Sequence, residues 1–379
     1  MVSVGEQRAV GVTGSTDQSS EALPASPSAR GSSRPIIAVA GTRWARRAHE
    51  LLLSAGAAAY QVEPAARDDL VQRARVHRDL LGADVVLGIH GRARLGPLER
   101  LAIRLGRPKV VEWVGTDVPQ HADSAERFTR EAVWNWCESS WISDELRDAG
   151  FEDVDIVPLT CTLFPDRVPP LPGRFRVVAY TPEARHDFYG LPFVVELARR
   201  LPDVEFDLLA TSGSPDLPSN VRPRGWVDDM DGVLRACAVY LRPVAHDGVS
   251  HTVLEALSYG RYVFWTYAFP GVEKIEDLDG VERAIRVLAA AHRAGTLPLN
   301  LDGREAVEAR FSPPVIATQL REKLESVALR RWTQPPARRS RVMRRVALRL
   351  SRFLLFLPRR RGLRLARRPP LPFPGDQAE

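Results

Sequence analysis

The segment Ala245 to Gly260, AHDGVSHTVLEALSYG, holds acids, hydroxyls and glycines at a spacing that suits anion binding. A strand ends at Pro243 and a loop of small residues follows, which leaves Ser250 to cap the start of a helix. The helix stops at Gly260, since glycine takes the left-handed conformation without steric cost. In its first turn the amides of His251 and Thr252 are unclaimed by the helix ladder, and the helix dipole favours negative charge there. Asp247 sits in the loop and Glu255 about one turn into the helix. Amides for a diphosphate, flanked by carboxylates for hydroxyl groups, match a nucleotide-sugar. The same acids also suit an ordinary helix start, where carboxylates are favoured without a ligand.

The elements around this segment alternate between strand and helix, which implies parallel sheets with right-handed crossovers. Residues 36–40 read as a buried strand, Gly41-Thr42 as a tight turn, and 44–53 as an amphipathic helix. Strands at 58–62 and 109–113 follow, with 83–91 reading as a strand then a loop, and helices at 65–81 and 98–105 lie between them. Gly41 stands after the first strand, where such folds approach ligands. Five prolines between Pro158 and Pro172 mark a linker. The alternation then restarts, with strands at 175–180, 204–210, 239–241 and 262–266. Helices fall at 191–201, 231–237, 252–258 and 314–328, and the last is expected to cross back to the first domain. The fold class read from this pattern is α/β with two Rossmann-like domains facing a cleft, residues 35–165 and 172–328. Residues 1–34 are poor in bulky apolar residues and read as disordered, and 329–379 form a basic tail.

Several segments, taken together, resemble the retaining GT-B glycosyltransferases of family 4 (glycosyl transferases group 1). Asp247 and Glu255 fit the two acidic positions of that family's signature EGxxxxxLEAxAxGxPV, and Leu254-Glu255-Ala256 matches directly. The resemblance implies that Glu255 binds the ribose hydroxyls of the donor and that Asp247 lies near the donor sugar. Arg224-Gly225-Trp226-Val227-Asp228 resembles the GxVxD segment, which implies nucleobase contacts through the backbone at Val227. Val114-Gly115-Thr116-Asp117 resembles HGTD, with Val114 in place of His. Asp84 to His90 resembles DvvHxH and makes His90 the candidate active-site histidine. The family's diphosphate-clamping Lys is replaced by Tyr189, and Arg185 is the candidate substitute, its planar fork suiting a diphosphate. The catalytic candidates are therefore His90, Asp247 and Arg185. The donor-binding candidates are Glu255, Ser250, His251, Thr252, Val227 and Gly41. The implied co-substrate is a nucleotide-diphosphate sugar, with no further cofactor, and the implied acceptor is a glycan or a lipid-linked sugar. A catalytically inactive, membrane-associated binding or scaffold protein of the same fold is the alternative.

Charge separates the tail from the rest. The 379 residues carry a net charge of +6, yet residues 330–379 alone hold fifteen Arg, no Lys and two acids, so the body is acidic. An acidic body without interleaved aromatics argues against nucleic acid as a partner. From Arg338 to Leu357 a helical projection puts Arg338, Arg341, Arg345, Arg349 and Arg352 on one side and Val342, Met343, Val346, Leu350, Phe353, Leu354 and Leu357 on the other, with Leu348, Leu355 and Phe356 breaking the pattern. That pattern predicts an anchor to an anionic membrane surface. No apolar run approaches the roughly 20 residues of a membrane span, and no signal peptide is visible. Cys137, Cys161 and Cys237 lack any CxxC pairing and read as reduced thiols. The expected location is cytoplasmic, with the tail placing the protein at the inner face of the plasma membrane. Asp153-Val154-Asp155 and Asp277-Leu278-Asp279 imitate a metal-binding DxD, but both read as surface acids and no metal is expected. Trp134, Trp136 and Trp141 read as helix packing.

Overall fold

The computed structural model describes residues 34–62, 82–92, 107–162 and 164–330, apart from 42, 132, 214 and 215, together with 76, 79, 80, 95, 100 and 103. The disorder expected over 1–34, Arg34 excepted, most of the helices expected over 65–81 and 98–105, and the tail beyond residue 330 lie outside this set.

The first lobe is a six-stranded parallel sheet. Its strands are β1 (Ile36–Ala40), β2 (Ala58–Val62), β3 (Val85–Ile89), β4 (Lys109–Trp113), β5 (Trp134–Cys137) and β6 (Val154–Ile156). Every position of β3 and β4 is buried, as expected of central parallel strands covered on both faces. The described helices of this lobe are α1 (Arg43–Ser54), α2 (Asp117–His121), α3 (Arg127–Glu131) and α4 (Ser140–Asp148). The order β2-β1-β3-β4-β5-β6 reverses direction between β1 and β3, and Ala40 pairs with Gly88 there. Ligands of open α/β sheets bind at such a reversal, beyond the carboxyl ends of the strands. Gly41 and His90 are the residues that follow those two ends.

The second lobe repeats the logic with β7 (Arg176–Tyr180), β8 (Glu205–Leu209), β9 (Val221–Pro223), β10 (Val239–Arg242), β11 (Tyr262–Trp265) and β12 (Val272–Lys274). Its helices are α5 (Leu191–Arg200), α6 (Met230–Arg235), α7 (His251–Ser258), α8 (Leu278–Arg293), α9 (Leu301–Phe311) and α10 (Pro313–Leu329). The strand order β9-β8-β7-β10-β11-β12 is that of the dinucleotide-binding fold, with its reversal between β7 and β10. The loops at residues 181–190 and 243–250 flank this second crevice.

Helix α10 crosses back to the first lobe. Its Ile316, Leu320 and Leu324 share a buried core with Ala45 and Leu52 of α1 and with Val85 and Leu87 of β3. Arg321 of α10 also donates to the Ala55 carbonyl at 2.7 Å. The linker is held at both ends. Glu138, just past β5, accepts from the amides of Leu159 and Thr160 at 3.1 and 2.6 Å, and buried Arg261 donates to the carbonyls of Leu234 and Pro169 at 2.8 and 3.3 Å.

Two of the three tryptophans expected in helix packing lie on a strand instead. Trp134 and Trp136 belong to β5, and Trp136 is fully buried. A four-residue segment, Trp-Asn-Trp-Cys, is too short for its period to separate helix from strand, and its aromatics favour the pleated surface. Asp277 caps α8 by accepting from the Gly280 amide at 2.6 Å.

Candidate active site

Helix α7 begins as its sequence dictates. Ser250 has extended backbone and its hydroxyl accepts from the Val253 amide at 3.5 Å, while Gly260 closes the other end at φ 67°. Val253, Leu254, Ala256 and Leu257 are buried in the lobe. His251, Thr252, Glu255 and Tyr259, three or four residues apart, form the half-buried face. The Thr252 hydroxyl lies 2.7 Å from that of Tyr240 on β10, which ties the helix start to the sheet. Burial raises the Glu255 carboxyl above the ordinary glutamate range, and nearby Arg47 pulls it back down.

Arg47 comes from the other lobe. Its guanidinium donates to the Cys161 carbonyl and lies 3.4 Å from Nε2 of His251, whose ring stacks on Trp44 at 5.0 Å between centroids. A second interlobe contact lies at the loop before α7. Trp141 of α4 donates from Nε1 to the Asp247 carbonyl at 2.9 Å and stacks on Tyr267 at 4.6 Å. His246 Nε2 is 2.8 Å from a carboxylate oxygen of Glu145. Between these contacts two glycines meet backbone to backbone: a β-carbon on Gly248 would stand 2.3 Å from the Val114 carbonyl oxygen, and one on Gly115 would stand 2.7 Å from the Gly248 nitrogen.

The Asp247 carboxylate is paired with Arg242, the last residue of β10, at 2.5 Å from Nε. The Arg242 guanidinium lies over the Tyr189 ring, 5.4 Å from its centroid. Burial works against the Arg242 charge, but Asp247 and Tyr240 outweigh it and its pKa stands above the ordinary value. Arg185 is exposed on the turn Glu183–Arg185, its guanidinium 4.0 Å from the centroid of Phe188.

In the first lobe Asp117 organises the crevice. Its buried carboxylate accepts from the Gly91 amide at 2.5 Å and the Val114 amide at 3.1 Å, joining the loops that follow β3 and β4. Burial raises its pKa, and these amides and His90 lower it. His90 has φ 75°, a left-handed conformation uncommon outside glycine. Partial burial shifts its imidazole below the ordinary histidine range, Asp117 pulls it back up and Arg92 pushes it down. Gly41, at φ 142°, donates to the Val62 carbonyl at 3.2 Å.

The structure thus gathers Ser250, His251, Thr252 and Glu255 on one helix start, with Asp247 in the loop before it. Gly41 and His90 follow the strand ends at the first lobe's reversal. Val227 lies half-buried in the loop after β9, next to Trp226, which is 55% exposed and hydrogen-bonded to Asp228 at 2.8 Å. Trp44, Arg47 and Tyr240 were not legible as site residues: an arginine on an amphipathic helix has no distinguishing spacing. Among the described residues no group of three or more His, Cys, Asp or Glu side chains is placed to hold a metal ion.

No protein-family model matches the chain, and no curated protein matches it by sequence. Solved structures do. The sucrose-phosphate synthase of Thermosynechococcus elongatus is similar over 78% of this chain and 99% of its own, at TM-score 0.56 and 14% identity. The lipopolysaccharide outer core galactosyltransferase WaaB is similar over 77% of this chain and 99% of its own, at TM-score 0.51 and 13% identity. The pneumococcal O-GlcNAc transferase GtfA, solved in complex with UDP and GlcNAc, is similar over 68% of this chain at TM-score 0.50 and 12% identity. The match spans 60% of GtfA's length. The fold is GT-B. These neighbours are glycosyltransferases, and the two parallel sheets of this chain are their two-domain architecture.

Proposed function

We propose that this protein is a hexosyl-type glycosyltransferase that moves a sugar from a nucleotide-diphosphate sugar to a glycan or lipid-linked acceptor, with retention of configuration and without a metal ion. The observation that carries this reading is the half-buried face of α7 at the second lobe's crevice. It sets a Ser250-capped helix start one turn from a carboxylate, Glu255, that no described residue hydrogen-bonds. The helix start stabilises the departing diphosphate, a charge otherwise met by a metal. Glu255 accepts from the ribose hydroxyls, and the Val227 loop borders the nucleobase. The UDP in the GtfA complex supports a nucleoside diphosphate as the leaving group. His90 steadies the sugar as positive charge develops, and the first lobe holds the acceptor. Retention rests on the family signature at Asp247 and Glu255.

A panel of nucleotide-sugars, assayed for hydrolysis and transfer, identifies the donor. Glu255→Gln is expected to weaken nucleotide binding at least about tenfold, the loss of one charge-assisted hydrogen bond worth roughly 1.5–3 kcal/mol. Its fold stability should change little. Equal nucleotide affinity for both proteins in calorimetry overturns the ribose assignment.

A further inference from the structure

The loop after β7 presents no lysine to the crevice, and Arg185 there lies exposed against Phe188. A different cation occupies the crevice itself. Arg242 ends β10 at the reversal of strand order, one residue beyond the Leu241–Ala179 pair that joins β10 to β7. Side chains two apart on a strand share a face, so Arg242 lies on the face of Tyr240, whose hydroxyl meets Thr252 in the first turn of α7. The guanidinium is therefore on the sheet face that the α7 start covers, at its carboxyl edge. It is 9% exposed, with Tyr189 from the other crevice loop against it. Its ion-pair partner is Asp247, whose main chain is fixed by Trp141 and Tyr267 at 2.9 and 3.1 Å.

We propose that Arg242 is the cation that takes the donor diphosphate, and that Asp247 holds it in reserve until the ligand displaces the carboxylate. This rests on the donor-site reading above. A diphosphate offers the planar guanidinium the same oxygen pair as a carboxylate, with more charge. The exchange frees Asp247 to accept from hydroxyls of the sugar, so one event recognises both halves of the donor. It also accounts for Tyr189, which packs under the guanidinium where a lysine would repel it.

The test uses inorganic pyrophosphate, which has neither base nor ribose, titrated calorimetrically into the full-length protein. Asp247→Asn leaves Arg242 charged and without its acid. It is expected to bind pyrophosphate at least tenfold more tightly than the parent and to gain more thermal stability from it. The double variant Arg242→Gln with Asp247→Asn removes both charges and leaves no lone buried ion. It should bind at least tenfold more weakly than Asp247→Asn. Equal pyrophosphate affinity in the parent and Asp247→Asn overturns the proposal, as does undiminished binding in the double variant. Should the double variant not fold, the Asp247→Asn comparison decides alone. Glu255→Gln, carried in parallel, keeps the two readings apart. Its failure to weaken nucleoside diphosphate binding removes the ribose assignment and leaves the clamp standing, whereas an Arg242-independent nucleoside diphosphate site removes only the clamp.

Discussion

Glu255 combines two opposed influences: burial favours its protonated form, and Arg47 from the facing lobe favours the carboxylate. The net effect is upward, and only the carboxylate accepts from two ribose hydroxyls. Nucleotide affinity should therefore fall on acidification while the pH is still above the ordinary glutamate range. The lost binding follows protonation, so affinity rises with pH through the raised pKa and is flat above it. Glu255→Gln should bind weakly with no such step. Titrating a nucleoside diphosphate into both proteins between pH 5 and 8 checks this, and parallel profiles would remove Glu255 from the ribose. At this scale the sequence was readable wherever the determinant is local: the Ser250 cap, the Gly260 stop and the one-turn offset of Glu255 all lie within a short stretch of chain. Arg47 and Trp44 reach His251 from some 200 positions away, 204 in the case of Arg47, and no spacing rule connects them.

Elements were legible in proportion to their burial and length. The central strands are apolar runs, and the structure has them within a residue or two of the expected limits. Strands β6, β9 and β12 are three residues each, at or beside sheet edges, with half-polar burial patterns that carry no period. The alternation of strand and helix does not foresee them, nor helices α8 and α9. A consequence of the parallel arrangement lies at the ends of β4 and β5. Glu112 is fully buried with one carboxyl oxygen unpartnered, and it feels the charge of buried Glu138, which is bonded to the linker. Burial, with Glu138 and then Asp117 adding to it, holds Glu112 well above its ordinary range. Burial raises Glu138 to about 7 against the pull of Thr160 and Leu159. A carboxyl raised in the folded state binds a proton that the unfolded chain has already lost, so stability falls as pH rises from about 4.5 to about 7. Every tenfold difference in proton affinity between the two states corresponds to about 1.4 kcal/mol. Glu138→Gln keeps an acceptor oxygen for Leu159 and Thr160 without the titration. Its stability relative to the parent should grow across that window and level off above it. Denaturant midpoints measured at intervals from pH 4.5 to 8 read this directly, and a constant difference between the two proteins would refute it.

For the whole molecule, the separation of charge between body and tail poses the remaining question. The described part contains no helix long and apolar enough to cross a membrane, and the tail lies beyond it. The proposal of peripheral attachment to an anionic leaflet rests on sequence: arginines segregated from apolar residues over 338–357, with no acid between Ser326 and Gly375. Each arginine near such a surface contributes about 1 kcal/mol, so a few engaged residues suffice for binding. The apolar side adds insertion energy that does not depend on salt. Full-length protein should pellet with acidic vesicles at low salt and remain in the supernatant with neutral ones. High salt should release only part of it, because Phe353, Leu354 and Leu357 stay in the interface while the Coulomb attraction is screened. Removing residues 331–379 should abolish pelleting and leave nucleotide binding intact, since the two crevices and α10 all precede that point. Full-length protein that stays in solution with acidic vesicles at low salt would overturn the anchor and point the basic segment toward the acidic body or a protein partner. Attachment, once found, favours a lipid-linked acceptor over a soluble glycan, because a donor site held at the membrane surface meets such an acceptor at high effective concentration.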